Sequence, residues 1–188
     1  MTPEPQLPMV IVLAAGRGER FRAAGGSTGK LEAPLKGRTV LAHVLQAVVD
    51  SGLPFHVVRP EHLGARHLPG MGDSIAAGVQ ATRQAGGWLI LPGDLPLIQA
   101  ATLQRVAQAL MTLPVGHHTV QPRYQGQRGH PVGFTATCAD ELTALEGDEG
   151  ARSVLRQHPP QWLDVDDEGT VWDVDTPQRL EQAAERLR

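Results

Sequence analysis

The segment that most constrains this chain is Met9-Val10-Ile11-Val12-Leu13, running directly into Ala14-Ala15-Gly16-Arg17-Gly18. Five consecutive apolar residues, three of them β-branched, read as a strand buried on both faces, as the middle of a parallel sheet requires. A strand that ends in a glycine loop puts backbone N–H groups at the carboxyl edge of such a sheet, where phosphate oxygens bind. Gly16 and Gly18 let the backbone approach a ligand closely. Arg17, Arg20 and Lys30 bring positive charge to the same stretch, and a guanidinium can grip phosphate with two hydrogen bonds.

By pattern alone this loop has other readings. Gly16-Arg17-Gly18-Glu19-Arg20-Phe21 begins like a dinucleotide fingerprint, but Phe21 replaces the third glycine, and the second strand ends in Arg59-Pro60 rather than a ribose-binding acid. An NAD(P)H-dependent oxidoreductase is therefore an alternative. Gly25-Gly26-Ser27-Thr28-Gly29-Lys30 resembles a P-loop, but Ala24 holds the first glycine position and Leu31 that of the Ser/Thr. An ordinary glycine-rich surface loop is the plainest alternative.

The periodicity downstream alternates. A helix is expected over 40–50, with Val40, Leu41, Val44, Leu45, Val48 and Val49 on one face and Ser51-Gly52 as its stop. A short strand follows at 56–58. Asp73 can N-cap a helix running to about Ala85, and a third strand covers 88–91. A helix over about 100–112 carries Leu103, Val106 and Leu110. Strands are expected near 118–121, 132–135, 162–165 and 170–174, with short helices near 139–145 and 150–156. Thr176 and Pro177 open a last helix as N-cap and first residue. Such alternation predicts a single-domain, three-layer α/β fold with a mostly parallel sheet. Residues 1–8, with three prolines, read as a flexible tail. Residues 9–188 form the domain, with a ligand-binding first half over about 9–113 and a second half over about 114–188 that supplies an acceptor-binding part.

Composition narrows the function. The net charge of −3 without a basic block argues against nucleic acid or an anionic membrane as partner. The single Cys138 excludes an internal disulfide framework and a multi-Cys zinc site. No signal-like start and no membrane-length apolar run are present, so a cytoplasmic location is expected. The eight histidines show no metal-binding spacing and no Gly-x-Ser-x-Gly elbow occurs, so chemistry by a covalent nucleophile is unsupported.

Three further segments carry chemistry. Leu91-Pro92-Gly93-Asp94-Leu95-Pro96 places a carboxylate at the carboxyl end of the third strand, facing the same edge as the glycine loop. Magnesium favours one or two carboxylates plus phosphate oxygens; a plain turn Asp is the alternative. In Trp172-Asp173-Val174-Asp175-Thr176-Pro177, strand alternation puts Asp173 and Asp175 on one side. A cation would offset their repulsion, and helix-cap chemistry is the competing reading. The last is Gly129-His130-Pro131-Val132-Gly133-Phe134, followed by Gly147-Asp148-Glu149-Gly150-Ala151-Arg152; a lone His is more often structural than catalytic.

Taken together and in this order, these segments resemble the NTP-transferase family that attaches nucleotides to the molybdenum cofactor, with the cytidylyltransferase branch nearest. The motifs span residues 13–177. The resemblance implies a nucleotide-binding fold of the glycosyltransferase-A (Rossmann-like) type and a magnesium-dependent transfer of a nucleoside monophosphate from an NTP, with CTP favoured, to a phosphorylated pterin. It implies that Leu13, Ala14, Ala15, Gly16, Arg17, Gly18, Asp73 and Ser74 line the nucleotide. Arg20 and Lys30 would hold the triphosphate, with Arg20, Lys30 and Asp94 at the catalytic centre. Asp94 and Asp175 would ligate Mg2+. Gly129, His130, Pro131 and Arg152 would meet the acceptor, the molybdenum cofactor. A molybdenum hydroxylase or its insertion chaperone is the implied protein partner, and a non-catalytic cofactor carrier is the alternative outside enzymology.

Overall fold

Val10, Ile11 and Val12 are fully buried in strand β1 (Met9–Leu13). A strand alternates its side chains between two faces, so β1 must be covered on both. The computed structural model describes residues 6–16, 18–64 and 70–187 and shows how that cover is built. Helix α1 (Glu19–Ala23) follows the glycine loop, then a hairpin of β2 (Pro34–Leu35) and β3 (Arg38–Thr39). Next come α2 (Val40–Ser51), β4 (Phe55–Val58), α3 (Met71–Ala81), β5 (Gly87–Pro92) and α4 (Ala100–Met111). The second half adds β6 (Thr119–Tyr124), β7 (Gln127–Arg128), β8 (Val132–Thr135), α5 (Ala139–Thr143), α6 (Arg152–Gln157), β9 (Gln161–Asp164) and α7 (Pro177–Arg186).

One seven-stranded sheet runs through both halves in the order β4-β1-β5-β8-β6-β7, with β9 also on β6. β4, β1 and β5 are parallel neighbours, β8 is reversed between β5 and β6, and β9 is parallel to β6. Most strands therefore point one way, with β8 and the short β7 reversed. On one face Val10, Val12, Leu89 and Leu91 pack against α2 and α4 through Leu41, Val44, Leu103 and Val106. On the other face Ile11, Ile90, Trp88 and Phe134 pack against α3 and α5 through Ile75, Val79 and Leu142. That is the three-layer α/β arrangement expected from the sequence. A third cluster, with Phe21, Leu35, Val40, Trp172, Val174 and Ala183, joins α1, the hairpin and α7 beneath the carboxyl edge.

Several local expectations are corrected. Residues 170–174 are not a strand: a 3-10 turn occupies Glu168–Thr170, and the chain is irregular until Thr176. The Asp167 side chain accepts from Gly169 N and holds that turn, and Val174 N goes to Asp94 O rather than into a sheet ladder. Helix α3 is capped by Gly70, not Asp73, and ends at Ala81. The polar stretch after the glycine loop contains α1. Thr176 caps α7 as expected, its hydroxyl accepting from Arg179 N. In the N-terminal stretch Pro8 is buried, while residues 1–5 lie outside the described residues. No helix among the described residues is long and apolar enough to cross a membrane.

Candidate active site

β1 and β5 run side by side with Leu13 opposite Pro92, so the loops that leave them emerge together at the carboxyl edge. Gly93 N donates to Leu13 O at 2.9 Å. A Cβ on Gly93 would lie 2.9 Å from that oxygen and 3.1 Å from Leu41, so this close approach needs glycine. The next residue, Asp94, accepts from Val174 N through its backbone oxygen at 2.9 Å. Two backbone bonds thus bring the β1 loop, Asp94 and the 173–175 segment together. Gly18 turns the glycine loop into α1 at a φ of +60°, where it sits against the Lys30 stem. A side chain at Gly18 would be strained in that conformation and would crowd Lys30.

The charged centre follows from this placement. Lys30 Nζ donates to Asp94 Oδ2 at 2.5 Å and to Asp175 Oδ1 at 2.9 Å. Arg20 Nη1 donates to Asp175 Oδ2 at 3.2 Å. Lys30 and Asp94 side chains are 16% and 14% exposed, whereas Arg20 is 85% exposed, so Arg20 stands at the mouth and Lys30 within. Burial alone would pull the Lys30 ammonium down, but the Asp94 and Asp175 charges outweigh it and hold Lys30 above the usual lysine value. Burial opposes ionisation of Asp175, yet the bonds from Lys30 and Arg20 prevail and keep its carboxyl below the usual range. Asp173 has a different partner, Arg179, at 3.2 Å. Arg179 and Arg186 also cover the Trp172 ring at 3.8 and 3.9 Å, so α7 clamps the segment that presents Asp175.

A cavity of about 750 Å³ opens over this centre. Of the residues expected at the nucleotide, Leu13, Ala15, Gly16, Gly18 and Ser74 line it, as do Arg20, Lys30, Asp94, Asp175 and His130. Ala14 does not; its backbone N donates to Val58 O at 2.8 Å. Asp73 also does not line the cavity, since its Oδ2 accepts from Gly70 N and Gly147 N at 2.8 and 2.9 Å. It ties the start of α3 to the Gly147 loop, which is helix-terminus chemistry rather than base recognition. Arg17 lies outside the described residues.

On the acceptor side, Gly129, Pro131 and Arg152 are absent from the cavity wall, and Arg152 lines a neighbouring cavity. His130 is joined to Pro131 by a cis peptide bond and is anchored by His130 N donating to Thr170 O at 2.9 Å. Burial pushes the His130 imidazole below its ordinary value, although the Asp94 charge works against that. Residues that sequence reasoning missed also line the cavity, among them Phe21, Met71, Gln127 and Arg128. Arg128 directly precedes the Gly129-His130-Pro131 motif, and that adjacency was the available signal. Gln127 and Met71 carry none.

Two carboxylates that converge on one ammonium make a hard-oxygen site that a single divalent cation fits. Among the described residues no group of three or more His, Cys, Asp or Glu could hold an ion by itself. The glycine loop, the cationic Lys30 and Arg20, and the paired carboxylates together equip this edge to hold a nucleotide polyphosphate and a metal.

The family described as MobA-like NTP transferase domain matches residues 10–162. The Bifunctional protein GlmU of Kineococcus radiotolerans is 35% identical over 130 residues, 58% of this chain but only 26% of that protein. The Purine catabolism protein PucB of Bacillus subtilis is 29% identical, over 91% of this chain and 93% of its own. Among solved structures, Rv0371c from Mycobacterium tuberculosis superposes with a TM-score of 0.76 at 25% identity, covering 98% of this chain and 100% of that one. The same protein has also been solved in complex with manganese, and that structure superposes with a TM-score of 0.72 at 24% identity, covering 96% of this chain and 100% of that one.

Proposed function

Because the chain belongs to the family of MobA-like NTP transferase domains, and is a nucleotidyltransferase, we propose that it moves a nucleoside monophosphate from CTP to the phosphate of a pterin, the molybdenum cofactor, with magnesium. The observation that carries this reading is the convergence of Asp94 and Asp175 on Lys30 at the mouth of the glycine loop. Asp94 and Asp175 would hold the metal, which when bound neutralises charge on the transferred phosphate and on the leaving pyrophosphate. Lys30 exchanges its carboxylate partners for triphosphate oxygens, and Arg20 closes over them from the exposed rim. Gly16 and Gly18 offer backbone approach to the phosphates. His130 and Arg128 orient the acceptor. An acceptor phosphate oxygen attacks the α-phosphorus in line. The bond from that phosphorus to the bridging oxygen breaks, and pyrophosphate leaves with the electron pair. Positioning and electrostatic stabilisation carry such a transfer, so no protein nucleophile is needed.

In this reading residues 9–113 hold the NTP and 114–188 the acceptor, with Asp175 reaching across to the nucleotide side. The preference for CTP over GTP rests on Ala15, a residue of the cavity wall, whose methyl would narrow a slot that glycine would widen. A methyl-sized difference gives a modest bias, on the order of 10- to 200-fold. The test is pyrophosphate release from CTP, GTP, ATP and UTP, with and without molybdenum cofactor, in wild type and Ala15→Gly. CTP turnover that depends on the cofactor, with a CTP-to-GTP ratio that falls in the variant, supports the reading. Higher kcat/KM for GTP overturns the base preference. Tight cofactor binding without pyrophosphate release from any NTP would make the protein a carrier.

A further inference from the structure

One wall of the active-site cavity is built from two segments far apart in the chain. The start of α3 supplies Gly70, Met71 and Ser74, and the loop between α5 and α6 supplies Asp148. Backbone packs on backbone where they meet. A Cβ on Gly70 would lie 2.2 Å from the Gly147 carbonyl, and one on Gly72 would lie 2.7 Å from Glu146 O. Glycine at both positions is what lets the segments touch. Met71 is seated on the same loop, since a Cβ on Gly150 would come within 2.9 Å of its sulfur.

Hydrogen bonds cross this seam in both directions. Gly72 N donates to Gly147 O at 2.7 Å. In return, Gly147 N donates to Asp73 Oδ2 at 2.9 Å, across 74 residues of sequence. The same Asp73 oxygen accepts from Gly70 N at 2.8 Å, so one atom fixes the first turn of α3 and joins it to the loop. Ser74, buried next to Asp73, turns its hydroxyl back to Gly70 O at 3.1 Å. The cavity residues of this wall thus hang on a side chain that does not itself line the cavity.

We propose that Asp73 is a positioning residue for the nucleotide: it locks α3 to the loop 146–150 and so sets where Met71, Ser74 and Asp148 stand around the bound NTP. What fills the pocket rests on the nucleotidyl transfer read above; the seam rests on its own bonds. The geometry also says which property of Asp73 matters. Both N–H groups land on one oxygen, and the amide oxygen of an asparagine in the same place can accept both. The seam needs an acceptor there and no negative charge. A carboxylate that met the nucleotide directly would need its charge.

The test is calorimetry on the full chain with whichever of CTP, GTP, ATP and UTP wild type binds most tightly. Wild type is compared with Asp73→Ala, Asp73→Asn and Gly72→Ala, each with a thermal melt. Gly72→Ala pushes on Glu146 and opens the seam without touching the carboxylate. Asp73→Ala and Gly72→Ala should each raise the Kd about tenfold, and Asp73→Asn should stay within about threefold of wild type. Asp167→Ala is the control for stability alone, lowering the Tm while the Kd stays within about twofold. Equal Kd in wild type and folded Asp73→Ala overturns the proposal. So does an Asp73→Asn as weak as Asp73→Ala, or one that prefers a different NTP, since either marks direct contact between carboxylate and nucleotide. A Kd that rises in step with lost Tm in Asp167→Ala as well would reduce the seam to general stability and overturns it too. Binding is read without acceptor, so a tenfold loss rescued by asparagine supports the seam even where no NTP yields pyrophosphate with molybdenum cofactor. If pyrophosphate is released but the Kd ignores both Asp73→Ala and Gly72→Ala, the positioning role falls alone.

Discussion

Two carboxylate neighbourhoods lie close together on the irregular stretch between β9 and α7, and they are built in opposite ways. Asp167 is 3% exposed and accepts from Gln99 N, Thr102 Oγ1 and Gly169 N, at 3.1, 2.6 and 2.9 Å. Its donors are backbone or short side chains fixed by the fold. Asp175, with Asp94, is held by Lys30 and Arg20, long side chains whose ends can move elsewhere. A carboxylate satisfied by fixed neutral donors is a structural joint. A pair held by replaceable cations can exchange them for another cation. The difference lies in the partners rather than the residue type, and it separates the two sites by experiment.

The largest expected effect is on the open pair. Asp94→Asn should lower turnover by at least about 100-fold while the melting temperature stays within about 2 °C, since Lys30 retains Asp175. Steady-state kinetics with a thermal melt checks both, and wild-type turnover at low magnesium would remove Asp94 from the centre. The closed site should respond the other way round. Asp167→Ala strands three donors and should cost about 3 kcal/mol, or roughly 6–12 °C in Tm. The CTP affinity of the folded protein should remain within about twofold. A Tm unchanged by Asp167→Ala would erase the distinction between the two neighbourhoods.

Much of this was legible in the sequence, and the parts that were not have physical reasons. Buried strands and amphipathic helices announce themselves by periodicity, so β1, α2, β5 and α4 were located within a residue or two. Asp94 could be placed because a parallel strand fixes where its carboxyl end lies. Asp173 and Asp175 were expected to share one side of a strand, but the segment is irregular and they take different partners, Arg179 and Lys30. The cause is a long-range bond, Val174 N to Asp94 O, which no local pattern encodes. Asp73 read as an N-cap from its position; its bond to Gly70 is local, three residues away, but its bond to Gly147 depends on a loop far away in sequence. Arg128 and Trp162 meet only because β7 and β9 both pair with β6. Lys30 itself was legible, but not its place between the two carboxylates.

A smaller effect probes that place with two signs at once. Lys30→Ala should raise the Kd for CTP by about 10- to 100-fold, the worth of a charge-assisted phosphate contact. Without nucleotide, the same variant should bind manganese more tightly, because the ammonium that occupies the carboxylates is gone. Calorimetry with CTP and with manganese alone reads both. Equal CTP affinity in the two proteins, or manganese binding that weakens, would show that Lys30 is a structural bridge like the donors of Asp167.

The central claim, that this edge transfers a nucleotidyl group, is tested most directly by following the label from CTP in parallel reactions with [α-32P]CTP and [γ-32P]CTP in the presence of molybdenum cofactor. The account predicts that the α-label appears on the cofactor and the γ-label in pyrophosphate. A γ-label on the cofactor, or one released as inorganic phosphate with no α-label transferred, would contradict it.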